Sequence, residues 1–179
     1  MYRIFFFILF TTFISSVSYA RLGDTEQQDS ERYGPASVSA QDRLTPIIKN
    51  APSKTYLYQG WKIRAGYLDG IAVRVCYSKI SKPENTSELK NDEIEAILKA
   101  ESHDGRWEKV KPMSLLNQNK TGNSYFDGSQ HRWLNTNGSM AYILLGNRTF
   151  FVESPEAGKW ERNQKNKIED QRKANIPKF

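Results

Sequence analysis

Two runs of alternating apolar and polar residues, 56–67 and 71–78, constrain the fold more than any other part of this chain. Alternation with a period of two is typical of β-strands, whose side chains point to opposite faces in turn. The segment between the runs, residues 68–70, contains Asp and Gly, which favour a tight turn. We therefore predict an antiparallel β-hairpin.

The pairing of the two strands depends on which register brings the apolar residues together. A two-residue turn at Asp69-Gly70 would place Tyr67 opposite Ala72 and mix apolar with charged side chains on one face. A three-residue loop, with Gly70 in the left-handed conformation of a bulge, places Tyr67 opposite Ile71 instead. We predict this second register, in which one face carries Trp61, Ile63, Ala65, Tyr67, Ile71, Val73, Val75 and Tyr77.

The rest of the domain completes an α+β fold. A helix is predicted from an N-cap at Asn91 to a stop at Gly105, because acidic residues occupy its first turn and three apolar residues recur on one side. These three residues are Ile94, Ile97 and Leu98. A strand at 106–110 and a second hairpin around Asn137-Gly138 follow. We predict two layers, with an antiparallel sheet of about five strands in the order β-β-α-β-β-β and one packed helix.

Residues 1–20 have the features of a secretory signal peptide. A short cationic start at Arg3 precedes the apolar run Ile4–Ile14, and the small-aromatic-small ending Ser18-Tyr19-Ala20 suits a signal peptidase. The apolar run is too short to span about 30 Å of hydrocarbon, which favours cleavage over anchoring. We expect a mature protein that begins near Arg21, has no transmembrane segment and is periplasmic or secreted.

Composition divides the remaining chain into three zones. Residues 21–54 are polar and are predicted to form a flexible leader with one helical turn before Asn50. Residues 55–153 hold nearly all the aromatic and branched side chains and form one α+β domain. Residues 154–179 form a basic tail with helical potential, which carries seven basic and four acidic side chains in a chain of formal net charge +6. Because half of the net charge lies in this tail, we do not expect the domain to bind nucleic acid.

The polar face of the first hairpin is the candidate binding site. In the predicted register it combines aromatic rings with cations, namely Tyr56, Tyr58, Lys62, Arg64 and Arg74. Rings stack on sugars and guanidinium groups pair with acids, so this face suits an anionic or sugar-containing polymer. The alternative is an ordinary solvated sheet face. Cys76, the single cysteine, lies on the same face, either as an intermolecular disulfide site or as a small covered residue.

The basic tail is a second candidate surface. As a helix, its cations would rest on lipid headgroups or on an anionic wall polymer. They are Lys159, Arg162, Lys165, Lys167, Arg172 and Lys173. Acids on the same turns weaken the positive field, so a solvated helical extension is the alternative; these acids are Glu156, Glu161, Glu169 and Asp170.

Catalytic and metal-binding signals are weak. His103 and His131 are the only histidines, and neither has the ligand spacing of a metal site, so we predict no metal and no cofactor. No nucleophile motif is present. A glycosidase needs only two carboxyl groups about 5 to 9.5 Å apart, and Asp104, Glu108 and Asp127 are the candidates for a small hydrolase of wall or sugar polymers.

The order of aromatic and turn residues resembles a group of small exported bacterial proteins of unassigned function. The residues are Gly60–Arg64, Asp69-Gly70, Tyr77-Ser78, Glu93-Ile94, Ile97-Leu98, Trp107, Trp133, Asn137-Gly138 and Pro177–Phe179. This resemblance covers most of residues 56–179 and implies bacterial origin and export, but no activity.

These features predict a non-enzymatic binding or interaction module of the bacterial cell envelope. Its expected partner is an anionic envelope polymer or another envelope protein. Two alternatives stay open: the small hydrolase, and a subunit of a secreted assembly that pairs through an edge strand.

Overall fold

The structure is a computed structural model that describes residues 21–37, 45–82, 85–103, 105–110, 131–144, 146 and 148–176. The predicted signal peptide, Asp104 and Asp127 lie outside the described residues.

The described residues form one antiparallel sheet and three helices. The helices are α1 (Glu26–Tyr33), α2 (Asn91–Ala100) and α3 (Pro155–Ala174). The strands are β1 (Ser53–Tyr58), β2 (Trp61–Leu68), β3 (Ile71–Lys82), β4 (Asn85–Ser87), β5 (Trp107–Val110), β6 (His131–Asn135), β7 (Met140–Ile143) and β8 (Phe150–Glu153). The strand order across the sheet is β1-β2-β3-β8-β7-β6-β5, and β4 pairs with β3. The predicted mixture of helices with an antiparallel sheet is confirmed, whereas the predicted five strands and single helix are too few.

One of the missing strands comes from the run 56–67, which is two strands rather than one. Gln59 and Gly60 both have positive φ angles, 47° and 82°, as a tight hairpin turn requires. The chain therefore reverses there, and Tyr58 pairs with Trp61.

The predicted loop between β2 and β3 is wrong. The turn has two residues, and Tyr67 lies opposite Ala72. A bulge next to this pair leaves Val73 with no residue opposite it in β2, so that Gly66 lies opposite Arg74. The extra residue therefore lies in the bulge and not in the turn, where the predicted three-residue loop has it. Ala65 shares its face with Val75, as predicted.

Helices cover both faces of the sheet. Val75 and Arg74 are consecutive in β3 and point to opposite faces. Val75 belongs to the larger core with α1 and α2, whereas Arg74 contacts α3. The larger core contains Leu22, Tyr33, Tyr56, Ile63, Ala65, Tyr67, Ala72, Val75, Tyr77, Leu89, Ile94, Ile97, Leu98, Ala141, Ile143, Phe150 and Val152. The predicted apolar stripe of α2 is part of it.

The flexible leader predicted for residues 21–54 differs from the structure. Leu22 and Tyr33, the last residue of α1, are buried in the larger core. Ile48 is buried on the other face against Val73 and Ala157, and the residues before Asn50 form a turn rather than a helix. The polar composition of this segment did not predict its burial, because only a few apolar side chains, such as Leu22, Tyr33 and Ile48, pack it on the sheet.

The helix ends also differ slightly from the prediction. The N-cap of α2 is Lys90 rather than Asn91, and the Glu93 side chain accepts a hydrogen bond from Lys90 N at 2.8 Å. The helix ends at Ala100, before Gly105. Of the helices in the described part of the chain, none combines the length and apolar character needed to cross a bilayer.

Candidate functional site

The predicted binding residues do not share one exposed face. Tyr56 is fully buried and Tyr58 packs against the larger core. The turn before Trp61 causes this, because it pairs Tyr56 with Ile63 and points both tyrosines to the apolar side. The predicted grouping of tyrosine rings with hairpin cations is therefore wrong.

Lys62 and Arg64 remain on the opposite face of the sheet. Lys62 lies opposite Leu57, an apolar residue that is 58% exposed. The Arg64 guanidinium donates through Nη2 to the carbonyl oxygen of Thr45, in the segment that crosses this face. The structure thus keeps three of the five predicted residues, Lys62, Arg64 and Arg74, on the face that α3 also occupies.

Arg74 is buried in an ion-pair network. Its Nη2 lies 2.6 Å from Glu153 Oε2, and its Nε donates to the same oxygen at 2.8 Å. Its Nη1 donates to Glu161 Oε1 and to the carbonyl oxygen of Ile47, both at 2.7 Å. Burial raises the pKa of Glu153, and the neighbouring guanidinium opposes this rise. Arg74 is therefore an anchor for α3 rather than a free cation.

The first turns of α3 hold the helix to the sheet. Ala157 is buried against Val73. The indole Nε1 of Trp160 donates to the carbonyl oxygen of Lys49 at 3.0 Å, and Glu161 binds Arg74. These contacts join α3 to β3 and to residues 45–49, the segment that crosses this face. Gln164 is the last half-buried residue of α3 before the helix extends beyond the sheet and its covering segments.

The second half of α3 extends away from this body. Residues 165–176 are exposed except Glu169, which is half-buried. Successive exposed residues cover every direction around a helix, so no face of this half packs on the described part of the domain. Arg172 pairs with Glu169 at 2.7 Å, whereas Lys165 and Lys167 have no ion pair among the described residues. Four cations and two acids lie in this half.

A cleft of about 210 Å³ lies beside the first turns of α3. Gly138 of the β6–β7 turn and Met140 line one side, and Lys159 and Arg162 line the other. Both cations are exposed. The cations of α3 therefore begin beside the sheet and continue along the helix to its free half.

A second polar cluster lies inside the larger core. Asp29 of α1 is 0% exposed, and its Oδ2 accepts a hydrogen bond from the Tyr67 hydroxyl at 2.6 Å. The Tyr56 hydroxyl lies 3.1 Å from that of Tyr67. Asp29 Oδ1 makes no hydrogen bond, and the nearest cation, Arg32 Nη1, is 3.9 Å away. Burial raises the pKa of Asp29 to about 6.

Glu101, directly after α2, is the other buried carboxylate of this cluster. It is 1% exposed; the Tyr77 hydroxyl donates to Oε1, and Leu22 N donates to Oε2 at 3.0 Å. Burial raises its pKa to about 7, although both hydrogen bonds oppose the rise. The two acids thus connect α1 and the end of α2 to β2 and β3.

The structure gives little support to a catalytic or metal site in the described residues. Glu108 lies on β5 with its side chain 60% exposed and pairs with Arg106 at 2.7 Å. Its predicted partners, Asp104 and Asp127, lie outside the described residues. His103 Nε2 is 4.0 Å from Glu101 Oε2, and His131 lies beside Trp133 with ring centroids 6.2 Å apart. No group of three His, Cys, Asp or Glu side chains that could hold a metal ion occurs in the described part of the chain.

Cys76 is a small covered residue, the second of the two roles considered for it, rather than an exposed site for an intermolecular disulfide. It is buried, and burial raises the pKa of its thiol to about 12. It lies opposite Arg64 on one side and Phe151 on the other. A buried, protonated thiol is not placed to form an intermolecular disulfide.

Sequence patterns missed the buried acids. An isolated Asp29 within the polar run of α1 has no local sign of burial, and Tyr67 is distant in sequence. The ion pairs of Arg74 were missed for the same reason, because Glu153 and Glu161 belong to other elements.

Comparison with known proteins gives no relative from which to transfer a function. No protein-family model, no curated protein and no solved structure matches this chain.

Proposed function

We propose that the protein is an exported, non-enzymatic binding module of the bacterial cell envelope, and that α3 carries its contact with an anionic envelope polymer. The observation that supports this proposal is the division of α3 into an anchored half and a free half. Ala157, Trp160 and Glu161 fix the first turns, whereas residues 165–176 lie outside the body.

The free half of α3, residues 165–176, gains little stabilisation from packing on the rest of the protein. Isolated helices shorter than about 12–15 residues are marginal in water, and most helical stability comes from packing. Here the anchored turns nucleate the helix, but the far turns gain only local ion pairs such as Arg172 with Glu169. An anionic polymer would supply the missing stabilisation through Lys165 and Lys167, which have no ion pair among the described residues.

The chemistry of the helix favours an anionic polymer over a protein partner. The only large apolar side chains that the free half exposes are Ile168 and Ile176, too few for a hydrophobic docking face. Lys62 lies on the same side of the sheet as α3, so a long polymer would meet cations from the sheet and the helix together.

The test is co-sedimentation of residues 21–179 with purified insoluble cell-wall material. The variant K165Q/K167Q removes two exposed cations from α3, and the matched control K99Q/K109Q removes two exposed cations from the body. We expect the α3 variant to lose about thirtyfold in binding, on the order of 1 kcal/mol for each of the two cations near an anionic surface, and the control to bind almost as well as the parent.

The outcomes separate the explanations. Equal losses in both variants would show unspecific charge attraction and contradict a site on α3. Undiminished binding by K165Q/K167Q would also contradict it. Far-ultraviolet circular dichroism of both variants checks that the helix content is unchanged.

A further inference from the structure

The main-chain nitrogens of Arg21 and Leu22 both point at carboxylates. Arg21 N donates to Asp24 Oδ2 at 3.2 Å, and Leu22 N donates to Glu101 Oε2 at 3.0 Å. Glu101 is buried, and the Asp24 side chain is only 14% exposed. Two consecutive main-chain amides therefore face carboxylates, and each amide has only one hydrogen to donate.

Cleavage after the predicted signal peptide would change the first of these nitrogens. Hydrolysis of the bond between Ala20 and Arg21 by a signal peptidase adds one water. The carboxylate leaves with Ala20, and the nitrogen of Arg21 becomes an amine that takes up a proton below a pKa of about 8. An uncharged donor with one hydrogen thus becomes a cation with three.

We propose that the α-ammonium group of Arg21, freed by this cleavage, is a structural cation that pairs with Asp24 and fastens residues 21–33 to the sheet. This proposal depends on the predicted export of the protein, but not on the polymer binding proposed for α3.

The surrounding contacts hold Asp24 in place for such a pair. Gly23 N donates to Ala72 O and Ala72 N donates to Asp24 O, both at 2.8 Å, so the segment is hydrogen-bonded to β3. Arg32 of α1 donates to Asp24 Oδ2, the same oxygen that Arg21 N contacts. The acceptor is therefore fixed by two neighbouring elements before the ammonium forms.

The charges around the new ammonium favour it. Asp24 and Glu101 are the acids closest to the main chain here, and Asp29 follows on α1. The cations that face them are the Arg21 and Arg32 side chains, and His103 lies 4.0 Å from Glu101. Tyr33 and Tyr77 complete the surroundings of Glu101 from α1 and β3. A positive charge added at Arg21 would thus partly neutralise buried negative charge.

The pair has a defined pH dependence. An ammonium that gains a carboxylate partner titrates at a higher pKa than in the unfolded chain, where the value is about 8. Its stabilising effect is complete below pH 8 and is lost as the pH rises through the higher folded value. For a pair that solvent still reaches, we expect about a fivefold decrease in the unfolding constant.

The experiment begins with the N-terminus of the full chain expressed in bacteria and exported. Mass spectrometry of the processed protein should give Arg21 as the first residue. A start at another residue would overturn the proposal.

The second step compares residues 21–179 with a free and with an acetylated α-amine, in the parent chain and in D24N. We expect acetylation to raise the unfolding constant about fivefold in the parent at pH 7, and to have no effect in D24N or above pH 10. Equal stability of the two parent forms at pH 7 would overturn the proposal.

A direct titration keeps the test independent of folding differences. The α-amine of Arg21, isotopically labelled and followed by NMR, should have a pKa clearly above 8, and an ordinary value would overturn the proposal. Cell-wall binding of the same samples does not enter the result, because α3 lies on the other face of the sheet.

Discussion

The Tyr67 hydroxyl donates a 2.6 Å hydrogen bond to Asp29, which is completely shielded from solvent. This bond crosses from β2 to α1 and stabilises the ionised form of a carboxyl group that burial disfavours. Burial has the larger effect, and the pKa of Asp29 rises to about 6. Protonation of Asp29 therefore favours the folded protein over the unfolded chain.

The first prediction concerns D29N. The folded protein binds a proton at Asp29 up to a pKa of about 6, whereas the unfolded chain releases it near 3.8. The contribution of Asp29 to the free energy of unfolding is therefore largest below pH 4 and falls as the pH rises to about 6. Asn keeps an acceptor for Tyr67 but does not titrate, so D29N should be about 1–3 kcal/mol more stable than the parent at pH 7.5.

Urea unfolding at several pH values between 4 and 8 measures this difference. D24N, a change of the same kind at a half-buried acid, is the control and should not gain stability at pH 7.5. If D29N is less stable than the parent at pH 7.5, Asp29 is ionised and well solvated in the folded protein, contrary to our expectation.

The second prediction concerns R74M. Removal of the guanidinium leaves Glu153 and Glu161 without their shared partner, and breaking a buried pair costs about 3–5 kcal/mol. Thermal and urea unfolding measure the loss. The matched change at an exposed pair, R106M, removes only the contact with Glu108 and should leave the stability almost unchanged. Similar losses in the two variants would show that Arg74 is not a buried anchor.

The third prediction compares two glycines. A Cβ atom at position 66 would lie 2.9 Å from Ile47 Cγ1 and 3.0 Å from Ile48 Cδ1, so G66A should destabilise the protein by about 1–3 kcal/mol. In G158A the new Cβ would lie 3.4 Å from Arg162 Nη1, an ordinary contact within α3. Alanine favours a helix, and G158A should stabilise the protein by about 0.5–1 kcal/mol. Urea unfolding curves of both variants measure these changes. If G66A is as stable as the parent, residues 47 and 48 move aside at little cost, contrary to this expectation.

The fourth prediction concerns the reactivity of Cys76. Its burial and its pKa of about 12 keep the thiol protonated at pH 8. A small thiol reagent should therefore modify the folded protein at least about a hundredfold more slowly than the urea-unfolded chain, at a rate that follows the unfolding equilibrium. Fast labelling of the folded protein, or a covalent dimer in non-reducing electrophoresis, would contradict this expectation.

Local patterns predicted the parts of the fold that depend on near neighbours. The spacing of Ile94, Ile97 and Leu98 gave the buried stripe of α2, and alternation gave the shared face of Ala65 and Val75. Both depend only on the geometry of one element or of one hairpin.

Long-range contacts explain what the sequence did not predict. The turn after Tyr58 was missed because Gln59 seldom adopts a positive φ, although Gly60 beside it was a visible sign. The bulge at Val73 was missed because Val73 packs with Ile48, a residue distant in sequence that the alternating pattern of the strands does not include. Only the turn separated the predicted binding residues, because it points Tyr56 and Tyr58 to the core, whereas Lys62, Arg64 and Arg74 stay on the face of α3.

If α3 binds the polymer as we propose, its free half separates the choice of ligand from the stability of the fold. Gln164 is the last half-buried residue before the helix leaves the body, and the ten residues from 165 to 174 extend about 15 Å further at the rise of an α-helix. Substitutions there change the charge that a ligand meets without touching the core or the Arg74 anchor. In the function that we propose, changes within about three helical turns would therefore alter what α3 binds, while the folding of the sheet domain stays the same.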